Sequence, residues 1–182
     1  MKATGIVRRI DDLGRVVIPK EIRRTLRLPE GTALEIYTDR EDAIILKKYS
    51  PVAELGAFAG LYCEVLGQVF GHTVLVTDRD RVIAAAGPHR KEFIGQSISR
   101  ELEEIILNRE NVNIPGERRT ACPVCSGEKT EYTGQMIYPV ISEGDAIGAV
   151  VFASKEAGIR FGEAEKKAAA CAAAFLGRQI EG

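Results

Sequence analysis

The chain has 182 residues, enough for one large domain or two small ones, and 28% of them are charged. The net charge is only −1, but it is unevenly distributed, with +5 over residues 1–28 and −4 over residues 51–182. This distribution argues against a protein that binds a polyanion along its whole length. It predicts that only the first part of the chain binds a polyanion. The alternative is a charged surface that only contacts solvent, because modest basic patches are common.

The first predicted element is a hairpin over residues 4–18. Two short runs rich in β-branched residues flank the turn-like residues 11–14, in which Gly14 can adopt a positive φ. Pro19 then ends the second strand and suits the start of a helix that we expect to reach about Leu28. Arginines from the strand, the hairpin and the helix would form a cationic surface suited to phosphates and guanine edges.

A second hairpin is predicted from residues 33–38 and 43–48, which are joined by the charged residues 39–42. Four short strands and one helix within 50 residues cannot bury a large core. We therefore expect this part of the chain to be stable only as a homodimer. Symmetric dimers also match the two-fold symmetry of a DNA duplex.

A family resemblance is carried by motifs throughout the first 49 positions. They are Lys2, residues 4–8 (TGIVR), residues 13–19 (LGRVVIP), residues 21–26 (EIRRTL), residues 33–37 (ALEIY) and residues 44–49 (IILKKY). In these motifs the segment resembles the swapped-hairpin DNA-binding domain of the AbrB-like transition-state regulators.

This resemblance implies that two chains exchange hairpins to form one intertwined, β-rich dimeric barrel with one short helix, and that arginines on its face contact DNA. Carried over position by position, the implied DNA-binding residues are Arg8, Arg15, Arg23 and Arg24, with Lys2 and Arg9 in support. Arg27 is not included, because relatives often place a small residue there.

The remainder of the chain alternates helical and strand patterns, which predicts an α/β domain. A helix with apolar residues at three- and four-residue steps is expected over residues 52–70. The later predicted elements are strands 73–77 and 81–86, a helix over residues 99–108, strands 135–141 and 146–154, and a helix over residues 163–179.

Two of these strand regions, residues 74–78 and 138–151, resemble a GAF domain, a ligand-sensing α/β fold with an antiparallel sheet and flanking helices. An AbrB-like segment followed by a GAF-like domain resembles the domain order of the sporulation regulators among the AbrB-like proteins. We predict a DNA-binding domain at 1–50, a connector helix at 51–70 and a sensory or oligomerisation domain at 71–182. A ligand pocket would lie between the sheet and residues 87–133.

The four cysteines predict no metal site. Cys63 and Cys171 lie among apolar helical residues and are expected to be buried and free. Cys122 and Cys125 form a C-x-x-C pair, which supplies only two of the four ligands of a structural zinc site. An inert pair, a metal site shared between subunits and a dithiol switch all remain open. The two histidines lie far from this pair in sequence, without ligand-like spacing.

The sequence contains no phosphate-binding glycine loop, no serine-nucleophile motif and no His/Asp/Glu cluster with metal spacing, so we expect no enzyme and no cofactor. It shows no signal peptide or membrane-spanning run, which predicts a cytoplasmic protein that does not enter a membrane.

The function predicted is a DNA-binding transcription regulator of sporulation or transition-state genes. Its expected partners are double-stranded DNA, a second chain bound through the first domain, further copies bound through the C-terminal helices to give a tetramer, and a small-molecule effector. The alternative is a scaffolding or antitoxin-like protein whose basic segment binds an acidic protein.

Overall fold

The computed structural model describes residues 4–39, 43–114, 120–129 and 132–181. Lys2, a predicted DNA-binding residue, lies outside the described residues. The chain divides into two compact units, Met1–Tyr49 and Ser50–Gly182, which we call the first and second units.

Among its described residues, the first unit contains one short helix, α1 (Lys20–Thr25), and two paired strands, β1 (Leu34–Thr38) and β2 (Ile44–Lys48). Strands β1 and β2 pair antiparallel, with Leu34 opposite Lys48 and Thr38 opposite Ile44. The two strands of the second predicted hairpin are therefore confirmed, while residues 40–42 of its predicted connection lie outside the described residues. Helix α1 is shorter than predicted, because the backbone of Leu26 has already left regular helical geometry and Arg27 has a positive φ of 51°.

The first predicted hairpin forms its turn but not its strands. The Gly14 amide donates to the Asp11 carbonyl at 3.0 Å, and Gly14 has a φ of +75°. Within the described residues 4–19 no regular strand is present, so the two strands predicted on either side of the turn do not form in this single chain. A strand needs a neighbouring backbone to pair with, and β-branched residues alone do not supply one.

The described elements of the second unit are α2 (Pro51–Glu54), α3 (Gly56–Phe70), β3 (Thr73–Asp78), β4 (Val82–Ala86), a 3-10 turn (Arg90–Glu92), α4 (Arg100–Leu107), β5 (Val112–Ile114), β6 (Gly134–Ser142), β7 (Asp145–Ser154) and α5 (Glu163–Glu181). The five strands form an antiparallel sheet in the order β4-β3-β7-β6-β5. Strand β5 was missed in the sequence because three residues are too few to establish an alternating pattern.

Each face of the sheet is covered by a separate hydrophobic core. Helices α2, α3 and α5 pack on one face, where Cys63 and Leu176 join Phe152 of β7. Helix α4 packs on the other face, where Leu102 and Ile106 join Leu75 and neighbouring sheet residues. The result is a three-layer α/β/α arrangement.

Residues 51–70 were predicted to form one connector helix, but they form two helices that belong to the second unit. Helix α2 begins after Ser50, whose hydroxyl accepts a hydrogen bond from the Ala53 amide and donates one to Asp78 at 2.7 Å. Val52, Ala59 and Cys63 are fully buried in the core that covers the sheet. The apolar stripe is therefore used mainly for packing within the unit.

The two helical cysteines differ in their surroundings. Cys63 is buried as predicted, and burial raises the pKa of its thiol to about 12. Cys171 is exposed, so the prediction of burial is wrong at that position. Its neighbours Ala172 and Ala173 face the core, and a run of small residues does not reveal which side of a helix is covered.

Candidate nucleic-acid interface

The turn of the first hairpin is organised by Asp11. Its carboxylate accepts hydrogen bonds from the backbone amides of Leu13 at 3.0 Å and Arg15 at 2.7 Å, and from the Arg15 guanidinium Nε at 2.8 Å. The Arg15 backbone amide and then its guanidinium lower the pKa of Asp11. An ion pair this exposed contributes little to stability, so its main effect is to hold the Arg15 side chain in one direction.

Helix α1 carries two adjacent arginines, Arg23 and Arg24, in its last turn, and both are exposed. The Arg23 carbonyl accepts from the Leu28 amide at 2.7 Å, which closes the end of the helix. Within the part of the chain that the structure describes, neither guanidinium is paired with a carboxylate. Both are therefore free to bind an external anion.

Arg8 and Arg9 lie in the extended segment before the turn and are also exposed. The Arg8 guanidinium donates to the neighbouring carbonyl of Val7 at 3.1 Å, a local contact that does not neutralise its charge. The predicted arginines thus fall into three groups along the first unit: residues 8–9 before the turn, Arg15 beside it, and residues 23–24 on α1. No hydrogen bond or ion pair links these groups to one another within the described residues.

The first unit has almost no interior as a single chain. Pro19 is the one buried residue among those described in this unit. The large aliphatic residues that are exposed among those described in this unit are Ile6, Val7, Ile10, Leu13, Val16, Val17, Leu26, Ile36, Ile44 and Leu46. So many exposed apolar side chains in about 50 residues indicate a surface that is covered in the functional state.

The C-x-x-C segment of the second unit is held by side chains from its surroundings. The buried Gln135 amide makes hydrogen bonds of 2.9 and 2.8 Å to the backbone of Cys122, and Glu128 accepts from the Cys125 amide at 3.1 Å. Burial, and then the charge of Glu128, raise the pKa of Cys125 to about 11, which disfavours the free thiolate needed for disulfide exchange. This environment argues against the dithiol-switch alternative for Cys125.

Among the described residues, no group of three or more His, Cys, Asp and Glu side chains is placed to hold a metal ion. None of the described helices is long and apolar enough to span a membrane. The site that stands out by charge is therefore the arginine-rich surface of the first unit.

Comparison with known proteins identifies the family. Residues 54–181 match the family model described as "Stage V sporulation protein T C-terminal, transcription factor". Over 181 residues the chain is 49% identical to the stage V sporulation protein T of Bacillus subtilis (strain 168), covering 100% of this chain and 99% of that protein. The chain belongs to the stage V sporulation protein T family.

Two further matches include most of the first unit and extend beyond it. The transition state regulatory protein AbrB of Bacillus subtilis (strain 168) is 42% identical over 105 residues, which cover 58% of this chain and 97% of AbrB. Residues 7–54 also match the family model described as "Antidote-toxin recognition MazE, bacterial antitoxin". The predicted AbrB-like first domain is confirmed.

The second unit is similar in structure to the GAF domain of an Acinetobacter phosphoenolpyruvate-protein phosphotransferase. The TM-score is 0.52 at 18% identity, with 71% of this chain and 87% of that chain covered. At this identity the likeness shows the fold alone, and it confirms the predicted GAF-like fold of the second unit.

Membership in the stage V sporulation protein T family confirms the predicted function class, a DNA-binding transcription regulator of sporulation or transition-state genes.

One residue of the candidate interface was missed in the sequence: Asp11. The available signal was its position three residues before Gly14, because aspartate commonly bonds the backbone two residues on in such turns. Asp11 is acidic and holds Arg15 in place, so it is not found among the basic residues that are expected to contact DNA.

Proposed function

We propose that this member of the stage V sporulation protein T family binds double-stranded DNA through Arg8, Arg15, Arg23 and Arg24, with Lys2 and Arg9 in support. The observation that carries the proposal is that the described arginines of this set are all exposed, and that only Arg15 is paired with a carboxylate. Guanidinium groups bind phosphate oxygens and the O6/N7 edge of guanine with two parallel hydrogen bonds.

We further propose that the DNA-binding form is a homodimer built from two first units. The exposed apolar residues of the first hairpin would form the missing core with the same residues of a second chain. A two-fold symmetric dimer would present two sets of arginines to one duplex and double the contacts.

A tetramer is supported by the exposed face of helix α3. Phe58, Leu61, Val65 and Val69 recur at three- and four-residue steps, and each is more than half exposed although the opposite side of the helix is packed on the sheet. Such a continuous apolar stripe suits pairing with the same helix of another chain.

The test of the DNA-binding surface is a set of single substitutions to alanine. Arg15→Ala and Arg23→Ala should each weaken specific DNA binding by about 1–3 kcal/mol, because each removes a direct base or phosphate contact. Titration of labelled duplex at fixed salt measures the loss. Arg160→Ala is the control, since Arg160 is an exposed arginine of the second unit.

Wild-type affinity in both variants would contradict the assignment. If the full chain instead binds no duplex at any salt concentration but captures an acidic protein, the scaffolding or antitoxin-like alternative replaces it.

Asp11 provides a more selective prediction. Asp11→Ala should weaken specific binding, because it frees both the turn and the Arg15 side chain. Asp11→Asn should retain more affinity, because its amide oxygen can still accept from the Leu13 and Arg15 amides. Binding to specific and random duplexes is compared, and the ratio should fall for Asp11→Ala. Since removal of an acidic residue favours binding to any polyanion, an unchanged ratio would contradict a positioning role.

The second unit is proposed to adjust DNA affinity when it binds a small molecule. A ligand can do this only if it binds one arrangement of the oligomer better than another. Deletion of residues 51–182 would then leave sequence preference intact while lowering affinity or cooperativity.

A further inference from the structure

The second unit contains a cavity of about 220 Å³ at the end of its sheet, where β3 begins and β7 ends. The chain has two histidines, and the fold brings both of them, His72 and His89, to this cavity. Their separation in sequence concealed this arrangement. The cavity also involves part of the 87–133 segment that was predicted to cover a pocket.

The close approach of β3 and the residues after β4 creates one wall. Gly87 has a φ of +85°, and a Cβ added there would come within 2.3 Å of the His72 carbonyl oxygen. The Thr73 hydroxyl donates to the Pro88 carbonyl at 2.8 Å and locks the two segments together. His89 follows with a φ of 59°, a left-handed conformation that is costly for a residue other than glycine.

His72, which lines the cavity, has ring nitrogens that make no hydrogen bond within the described part of the chain. The half-buried His72 ring lies edge-on to Phe161, with centroids 5.0 Å apart. Nδ1 of the other histidine, His89, lies 3.2 Å from Glu92 Oε1. A ligand that reached the His72 nitrogens would therefore break no internal hydrogen bond.

Other residues that line the cavity supply a cation and apolar surface. The Lys155 ammonium lies 5.7 Å from the centroid of the Tyr132 ring, and both residues line the cavity. Phe93 and Ala153, which also line it, are buried and apolar. The Tyr132 hydroxyl donates to Glu128 at 2.5 Å, so this ring is fixed in place.

We propose that this cavity binds a small organic monocarboxylate, with the carboxylate between Lys155 and His72 and its apolar body against Phe93. The inference rests on the proposed regulatory role of the second unit, and it adds the site and the ligand class. The volume is below the roughly 300–1,000 Å³ of sites for drug-sized molecules, so the ligand is small. Glu156 also lines the cavity, and its negative charge repels a dianionic phosphate about twice as strongly as a monoanionic carboxylate at the same distance.

The two histidines supply a direct readout on the full-length protein. With histidine labelled at Cε1, each imidazole gives one NMR signal, and His89→Asn, which tolerates the left-handed backbone, assigns them. Benzoate is the probe, benzamide is its neutral isostere, and inorganic phosphate tests an anion without an apolar body. Benzoate should shift the His72 signal saturably, and benzamide should bind at least about tenfold more weakly.

Substitutions at the neighbouring positions 155 and 156 test whether the positive charge of Lys155 binds the carboxylate. Lys155→Gln should weaken benzoate binding about tenfold, because it removes a charge-assisted contact, whereas Glu156→Gln should not weaken it. The proposal is overturned if millimolar benzoate leaves the His72 signal unchanged, if benzamide or phosphate binds as well as benzoate, or if Lys155→Gln retains wild-type affinity.

Duplex binding by the same samples separates this inference from the proposed function. Intact DNA binding without any benzoate response overturns the ligand site alone. If the wild-type chain does not bind the duplex, the proposed function is overturned, whatever the histidine NMR signals show.

Discussion

Gly177→Ala is expected to destabilise the second unit by about 3 kcal/mol or more, at or beyond the upper end of the usual cost of overpacking. Gly177 is buried in α5, and a Cβ added there would come within 2.0 Å of the Ile141 carbonyl oxygen and 3.1 Å of its carbon. Both are backbone atoms of β6, so relief requires the helix to move away from the sheet. The gain of about 1 kcal/mol from the higher helix propensity of alanine does not offset this cost.

Gly60→Ala is the matched control, because Gly60 lies within α3 and nothing lies within 4 Å of an added Cβ. It should stabilise the protein by up to about 1 kcal/mol. Denaturant unfolding of both variants at one protein concentration measures the difference, since oligomer stability depends on concentration. A Gly177→Ala protein as stable as the wild type would show that α5 does not pack against β6 as described.

The second large effect concerns residues 1–50 in isolation. This segment should lose essentially all of its folded structure when diluted below its dimer dissociation constant, because a single chain buries only Pro19 among its described residues. Its melting temperature should rise with concentration. Circular dichroism across a dilution series measures the loss, and sedimentation should show a dimer for the segment and a tetramer for the full chain.

Val16→Asp should weaken the dimer of the same segment, because it places a charge on the exposed apolar surface that is proposed to form the dimer core. Arg9→Asp changes charge at an exposed position and should leave the dimer intact. A compact monomer of residues 1–50 whose melting temperature does not depend on concentration would contradict the dimer proposal.

The sequence anticipated the elements of the second unit well because their signals are local. Helix α4 was predicted over residues 99–108 from its apolar stripe and is found at Arg100–Leu107, with the Ser99 hydroxyl accepting from the Leu102 amide at 3.0 Å. Strands β6 and β7 were predicted within one residue at each end because long apolar runs bounded by turn residues are typical of buried strands.

The first hairpin marks the limit of that reasoning. β-Branched residues on both sides of the turn indicate strands, but whether strands form depends on a backbone that lies alongside. Residues 4–10 find no such partner among the described residues of the same chain. The pattern of residues shows that a segment can form a strand, but the strand forms only where another backbone lies alongside to pair with it.

By itself the sequence determined the basic character of the first unit and most of the helices and strands of the second unit, because composition and periodicity are properties of neighbouring residues. The arginines assigned to DNA contact come from the resemblance to the AbrB-like regulators and stay a prediction. Only the tertiary structure decided that Asp11 holds Arg15 and that His72 and His89 share one cavity. Those contacts depend on how the chain turns at Gly14 and Gly87, and the geometry of a turn sets distances between residues that no spacing in the sequence encodes.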